Sequence, residues 1–134
     1  MSSVNKEDYL RIMYKYHERG KQIRITDIAN ELEISKPSVT EMMSKLSSEG
    51  FIVHKKYSTP KLTKKGYDLS KQLTRNHRII EYFLVEKLKF KDDEIHEEAN
   101  KLEHAFSDKA IEKLYDFIGQ PNKDPHGEII PWWR

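Results

Sequence analysis

The sequence predicts a mainly α-helical protein in which an N-terminal winged helix-turn-helix is followed by a second, helical domain. Two observations predict this fold class. Apolar residues recur at three- and four-residue spacing over most of the 134 residues, which indicates amphipathic helices. The period changes only after Gly50, where a short hairpin is expected. A chain of this length accommodates two small domains but excludes most large enzyme folds.

The composition restricts both the chemistry and the location. The chain has no cysteine, which excludes disulfide scaffolds, thiolate zinc sites, iron–sulfur clusters and cysteine nucleophiles. A transition metal would therefore be bound by histidine, carboxylate or amide groups. No apolar run approaches the roughly 18 residues of a membrane span, and the N-terminal MSSVNKEDYL does not resemble a secretory signal. We expect a cytoplasmic protein with no membrane partner.

The net charge of +2 hides an asymmetry. Residues 1–75 contain 15 Lys and Arg against 9 Asp and Glu, and the remainder contains 9 against 13, so the two parts carry +6 and −4. Five lysines fall within HKKYSTPKLTKKG, whereas four of the six histidines lie in the acidic part. The pattern indicates nucleic acid as the partner of the first part and cations as the partners of the second. Ordinary variation of surface charge is the alternative.

The basic part begins with two predicted helices. The first is an amphipathic helix from Lys6 to His17 that stops near Gly20. Thr26 is expected to cap a short second helix, because a threonine hydroxyl can accept hydrogen bonds from the first free backbone amides.

A third helix is predicted from about Lys36 to Ser48. Ser35 is its expected N-cap, and Pro37 lies in the first turn, where its missing N–H costs nothing. Two short helices joined by a three- or four-residue turn are typical of a helix-turn-helix. The core-facing positions are Val39, Met42, Met43 and Leu46, and the outward positions are Lys36, Ser38, Thr40, Glu41, Ser44 and Lys45.

The segment after Gly50 predicts a small basic hairpin, with strands at 51–54 and 61–63 and a turn at 58–60. A helix-turn-helix followed by such a hairpin is a winged helix, here over residues 1–63. Its third helix would enter the major groove, while the wing lysines neutralise phosphates; a packed three-helix bundle without DNA is the alternative. The candidate DNA-contacting residues are Arg24, Thr26, Ser35, Lys36, Pro37, Ser38, Thr40, Lys45 and Lys61.

The acidic part, residues 64–134, starts with a long linking helix over 64–87. His77 and Glu81 are four residues apart on it and therefore neighbours on one face, where they could bind a cation or form an ordinary ion pair. A further helix is predicted for DDEIHEEANKLEHAF, residues 92–106. At roughly 100° per residue, its metal-capable side chains share one sector between the apolar stripe and the solvent face. These side chains are His96, Asn100, Glu103 and His104. A boundary row of polar residues that bond to a neighbouring helix is the alternative.

Five segments, in order and spacing, resemble the diphtheria toxin repressor family of metal-activated transcription regulators, which includes manganese transport regulators. The segments are NKEDYLRIMY, ISKPSVTEMMSKL, NHRIIEYFLVEKL, IHEEANKLEHAFSD and PHGEIIP. The resemblance covers essentially the whole chain. It implies a winged-helix DNA-binding domain followed by a helical metal-binding and dimerisation domain, with ferrous iron or manganese as co-repressor.

The resemblance also implies two metal sites. Its principal site would be formed by Asp8, Asn100, Glu103 and His104, with Asp8 tying the first helix to the second domain. Its ancillary site would be formed by His77, Glu81 and His96. In some relatives the histidine of the PHG segment, here His126, also contributes, and Asp124 stands where those relatives have cysteine.

The sequence departs from the family pattern in three places. Asp8 and Asn100 replace the sulfur-bearing ligands of iron-selective members, so an all-oxygen and nitrogen site leans toward manganese. Arg11 and Asn100 stand where manganese regulators usually carry acids, which leaves the choice between Mn²⁺ and Fe²⁺, and the number of ions, one or two per chain, open. Many relatives continue into a small SH3-like β-barrel, whereas this chain stops at Arg134, as expected for a naturally short member or a truncated one.

The leading hypothesis is a homodimeric repressor, not an enzyme, that binds a palindromic operator when metal is bound and controls metal homeostasis genes. A winged-helix regulator that responds to a non-metal ligand is the alternative. A metal-dependent hydrolase is disfavoured because no nucleophile elbow, phosphate loop or HExxH motif is present. The expected dimer surface consists of the apolar residues of 79–90 together with Ala110, Ile111, Leu114, Tyr115, Phe117 and Ile118.

Overall fold

The computed structural model describes residues 5–131, and it confirms the mainly α-helical fold class. The helices are α1 (Lys6–Glu18), α2 (Ile25–Leu32), α3 (Lys36–Ser48), α4 (Lys64–Glu86), α5 (Asp92–Glu103) and α6 (Asp108–Phe117). Two short strands, β1 (Ile52–Val53) and β2 (Lys61–Leu62), pair antiparallel between α3 and α4. The order of helices and hairpin is that of the predicted winged helix-turn-helix followed by a helical domain.

The chain packs as two compact units, one of residues up to Leu73 and one from Thr74 onward. Each has its own apolar core. The first ten residues of α4, including Leu69 and Leu73, pack in the N-terminal unit, and the rest of the helix belongs to the second. The limits of 1–63 and 64–134 expected from the sequence remain a prediction.

Local chemistry explains where the N-terminal helices begin. Asn5 caps α1 in a capping box, in which its side chain accepts from the Asp8 N–H and the Asp8 carboxylate accepts from the Asn5 N–H. Ser35 caps α3 as predicted, accepting from the Ser38 N–H, and Pro37 lies in the first turn. The predicted cap at Thr26 is wrong. The N-cap of α2 is Arg24, whose extended backbone makes no side-chain cap bond, and Thr26 lies inside the helix.

The wing is attached to α4 by a close backbone approach at Gly66. A Cβ at this position would lie 1.9 Å from the carbonyl oxygen of Phe51. Thr63 joins the two segments, because its hydroxyl donates to the Gly50 carbonyl at 2.7 Å and accepts from the Gly66 N–H at 3.1 Å. The start of α4 is thereby set directly against the residue that precedes β1.

The core of the C-terminal unit overturns part of the expected dimer surface. Ile111, Leu114, Tyr115 and Ile118 are buried in the same cluster as Ile79, Ile80 and Leu84 of α4, so they stabilise the chain itself. Phe117 is 70% exposed and Leu88 is 51% exposed, so these two remain accessible to a partner.

Candidate metal centre

The C-terminal unit brings together two groups of potential metal ligands that share Glu81. One consists of His77, Glu81 and His96, and the other of Glu81, Asp124 and His126. Within each group, one ligand atom per residue lies within 4.8 Å of the others. Four of these five residues are predicted ligands, whereas Asp124, which stands where some relatives have cysteine, is not among them.

The long helix α4 positions the centre of this cluster. Nε2 of His77 lies 3.4 Å from Oε1 of Glu81, one turn further along, and both side chains are less than a tenth exposed. Nδ1 of the same imidazole lies 3.2 Å from Oε2 of the buried Glu103 at the end of α5. A carboxylate that accepts from one ring nitrogen fixes the tautomer and leaves the other nitrogen available to a cation. Glu103 therefore orients His77 in this structure.

The exposed members complete the two groups from α5 and from the segment after α6. The His96 ring packs edge-on against that of His77, with centroids 5.3 Å apart. Nε2 of His126 lies 3.9 Å from Oδ1 of Asp92 at the start of α5. Each group thus combines buried carboxylate or imidazole atoms with one solvent-exposed histidine. Such an arrangement provides both a partly dry site and a path of entry.

The electrostatics of the two carboxylates suit a cation. Burial alone would raise the pKa of Glu81, but the neighbouring imidazoles, His77 first and then His126 and His96, outweigh it and lower the pKa. Burial raises the pKa of Asp124, and the nearby Glu81 carboxylate raises it further, while the backbone amides of Glu128 and His126 and the charge of Arg78 oppose both effects. A divalent cation between two such groups would relieve their mutual repulsion. The donor set of imidazole and carboxylate fits Mn²⁺ or Fe²⁺.

The residues assigned to the principal site belong to different units of the chain, with Asp8 in the N-terminal unit and the other three in the C-terminal unit. Nε2 of the exposed His104 lies 3.9 Å from Oε1 of Glu103, and Asn100 is half-buried on α5. The predicted helix over 92–106 is too long, because α5 ends at Glu103 and His104 is its C-cap. Among the His, Asp and Glu side chains of residues 5–131, neither three-residue group includes Glu103 or His104. In the N-terminal unit the Asp8 carboxylate is bonded to Arg11 at 2.6 Å. The roles of Asp8, Asn100, Glu103 and His104 as metal ligands stay predictions.

The predicted DNA-contacting side chains are all exposed on the N-terminal unit. Ser35, Lys36, Pro37, Ser38, Thr40 and Lys45 belong to α3 and its cap, Arg24 and Thr26 to the start of α2, and Lys61 to β2. The Ser35 hydroxyl donates to the Ser38 hydroxyl at 2.9 Å, so the first turn of α3 presents a linked pair of hydroxyls. Exposure is necessary for DNA contact, but the contacts themselves stay a prediction.

Two family models match the chain in order. The model described as "Iron dependent repressor, N-terminal DNA binding domain" matches residues 1–59. The model described as "Iron dependent repressor, metal binding and dimerisation domain" matches residues 63–132. The chain belongs to the iron-dependent repressor family. These matches confirm the resemblance to the diphtheria toxin repressor family. The proteins of this family are transcription regulators.

Individual relatives within the iron-dependent repressor family support this membership. An HTH-type transcriptional regulator of Methanocaldococcus jannaschii is 38% identical over 113 residues, which cover 84% of this chain and 90% of the relative. The HTH-type transcriptional regulator MntR of Lysinibacillus sphaericus is 30% identical over 125 residues, which cover 93% of this chain and 89% of the relative. The solved manganese regulator SloR is 44% identical, with a TM-score of 0.88 over 98% of this chain. The chain spans 61% of the length of the SloR structure.

Every helix within residues 5–131 is either too short or too polar to span a lipid bilayer.

Proposed function

We propose that this protein is a metal-activated transcriptional repressor that binds a palindromic operator as a homodimer and controls metal homeostasis genes. The observation that carries this proposal is the pair of ligand groups meeting at Glu81, in a chain whose other unit exposes a helix-turn-helix. The family models support both halves of the proposal, since one is described by DNA binding and the other by metal binding and dimerisation. A cytoplasmic location accords with this role.

The co-repressor is proposed to be Mn²⁺ or Fe²⁺, with one or two ions per chain. The shared Glu81 would contribute to either group, with His77 and His96 on one side and Asp124 and His126 on the other. Oxygen and nitrogen ligands without sulfur favour such hard or borderline ions. SloR is described as a manganese regulator, whereas the family models are named for iron. Asp8, Asn100, Glu103 and His104 are retained as proposed ligands on the basis of the resemblance.

The DNA contacts are proposed for the exposed face of α3 and the wing. Ser35, Ser38 and Thr40 would approach phosphates or base edges in the major groove, and Lys61 would neutralise the flanking backbone. Dimerisation is expected because two recognition helices must lie about one turn of DNA apart to bind a palindrome. Cations bound in the acidic part, which carries −4, would also reduce its repulsion from phosphate.

The deciding experiment is a titration of DNA binding with Mn²⁺, Fe²⁺, Zn²⁺ and a chelator. The probe is a duplex selected from random-sequence DNA with the Mn²⁺-loaded protein. Glu81→Gln removes the shared carboxylate. We expect it to raise the Mn²⁺ concentration for half-maximal DNA binding by at least about tenfold. Glu86→Gln, at the exposed end of the same helix, is the matched control. His104→Ala tests the ligand implied by the resemblance. If DNA binding by the wild-type protein is insensitive to metal and chelator, the proposal is contradicted and the non-metal alternative is favoured.

A further inference from the structure

The segment after α6 folds as a small hairpin that presents Asp124 and His126. An isolated antiparallel bridge pairs Lys123 with Ile129. The Asp124 N–H donates to the Glu128 carbonyl at 2.8 Å, and the Ile130 N–H donates to the Asn122 carbonyl at 2.8 Å. Both candidate ligands lie in its turn, so their placement depends on how the hairpin is held.

Arg78 of α4 holds the returning strand of this hairpin. Its side chain is 6% exposed, its Nη1 donates to the Ile129 carbonyl at 2.6 Å, and its Nη2 lies 3.9 Å from Oε2 of Glu128. A buried guanidinium is costly unless its donors are satisfied, so the hairpin and the arginine stabilise each other. A second bond, from the Tyr115 hydroxyl to the Pro121 carbonyl, fixes the segment before the hairpin at 3.1 Å.

The same hairpin orients the Asp124 carboxylate. Its Oδ1 accepts from the His126 N–H at 2.9 Å and from the Glu128 N–H at 2.8 Å. Glu81 lies three residues after Arg78, so the two side chains are neighbours on the surface of α4. One stretch of helix thus anchors the hairpin and supplies the carboxylate that Asp124 and His126 approach.

We propose that Arg78 is a positioning residue for the group formed by Glu81, Asp124 and His126. This role rests on the proposed function. Arg78 itself provides no ligand atom. It acts through the Ile129 carbonyl, which sets the hairpin against α4. Its planar fork can donate to a carbonyl and face a carboxylate at once, whereas a lysine at this position would provide a single ammonium group.

The test is Mn²⁺ binding to the full chain, measured by the electron paramagnetic resonance signal of free Mn²⁺. We expect Arg78→Met to weaken one Mn²⁺ affinity of the wild type by about 10- to 100-fold, the range found when residues supporting metal ligands are removed. Any second wild-type affinity should persist, because the group of His77, Glu81 and His96 contains no residue of the hairpin. Arg78→Lys, which can still donate to the carbonyl, should restore part of the loss.

Arg75→Met is the matched control. Arg75 is also buried on α4, with 7% of the whole residue exposed against 5% for Arg78, but its charge interacts with Asp108 and Glu112 of α6. Thermal unfolding of both metal-free variants should show comparable destabilisation, with unchanged Mn²⁺ affinity in Arg75→Met. The proposal is overturned if Arg78→Met leaves every wild-type affinity unchanged, or if Arg75→Met loses the same affinity. If Arg78→Met does not fold, wild-type affinities in Arg78→Lys overturn it. Wild-type protein that binds no Mn²⁺ refutes the proposed function itself, and this inference with it.

Discussion

Arg11 donates a hydrogen bond from Nη2 to Oδ1 of Asp8 at 2.6 Å, while Oδ2 of Asp8 accepts from the Asn5 N–H at 2.9 Å. Both carboxylate oxygens of a predicted metal ligand therefore accept hydrogen bonds from α1 and its N-cap. The pair is partly buried, with side-chain exposures of 12% and 20%. By the resemblance, Arg11 occupies the position where manganese regulators of the family carry an acid. The structure gives that departure a physical meaning, because a cation at Asp8 has to compete with a guanidinium.

Arg11→Gln should therefore increase metal affinity. Metal binding at Asp8 has to overcome the free energy of this ion pair, which is about 0.2–1 kcal/mol. Its removal should therefore lower the half-saturating Mn²⁺ concentration roughly one-and-a-half- to fivefold. Calorimetric titration of the metal-free protein measures it. Lys15→Gln removes a charge from the same helix that pairs with Glu31 instead, and it serves as the control. Equal or weaker Mn²⁺ binding in Arg11→Gln would contradict a ligand role for Asp8.

Replacing Lys36 and Lys45 with Glu should abolish operator binding without unfolding the protein. Both side chains are exposed on α3, so the core is not disturbed. Each lost phosphate contact should also reduce the slope of log affinity against log salt by about one. Fluorescence anisotropy at several salt concentrations measures both effects. Lys21→Glu with Lys113→Glu makes the same charge change at exposed positions outside the proposed interface. Unchanged affinity in the α3 variant would remove this helix from the DNA surface.

Gly66→Ala should destabilise the N-terminal unit severely. The new Cβ would overlap the Phe51 carbonyl oxygen at 1.9 Å, and a backbone atom cannot swing aside as a flexible side chain can. We expect a loss of more than about 3 kcal/mol in the free energy of unfolding, measured with urea. Gly20→Ala provides the comparison. Its φ of +68° also disfavours alanine, but its Cβ would meet nothing within 4 Å, so a cost of about 1 kcal/mol is expected. Similar costs at both positions would contradict the close approach.

Glu31→Gln should reduce stability at neutral pH. Burial alone would raise the pKa of Glu31, but hydrogen bonds from Lys15 and Tyr16 outweigh it and lower the pKa. A carboxyl with a lowered folded pKa stabilises the protein above its unfolded pKa, and this contribution disappears as the pH falls through the folded value. The side chain is 33% exposed, so we expect a loss of about 0.5–1 kcal/mol at pH 7 that shrinks toward pH 3. Urea unfolding across this range measures it, with the exposed Glu33→Gln as control. A difference that grows on acidification would contradict the pairing.

Most of the fold was predictable because helices and caps depend on neighbouring residues. The spacing of Leu10 and Met13, the Ser35 cap and Pro37 all act within one or two turns. The error at Thr26 has the same origin. A hydroxyl residue near a helix start predicts a cap, but the extended backbone at Arg24 begins α2 two residues earlier.

The sequence by itself determined the helical order, the basic and acidic halves, and the facing pair of His77 and Glu81, since all of these follow from local spacing and composition. Only the tertiary structure decided that Glu81 belongs to two groups and that Arg78 is buried. The hydrogen bond from Arg78 to the Ile129 carbonyl joins residues 51 apart. Such a contact depends on how the hairpin packs on α4, and helical periodicity carries no information about packing between distant segments.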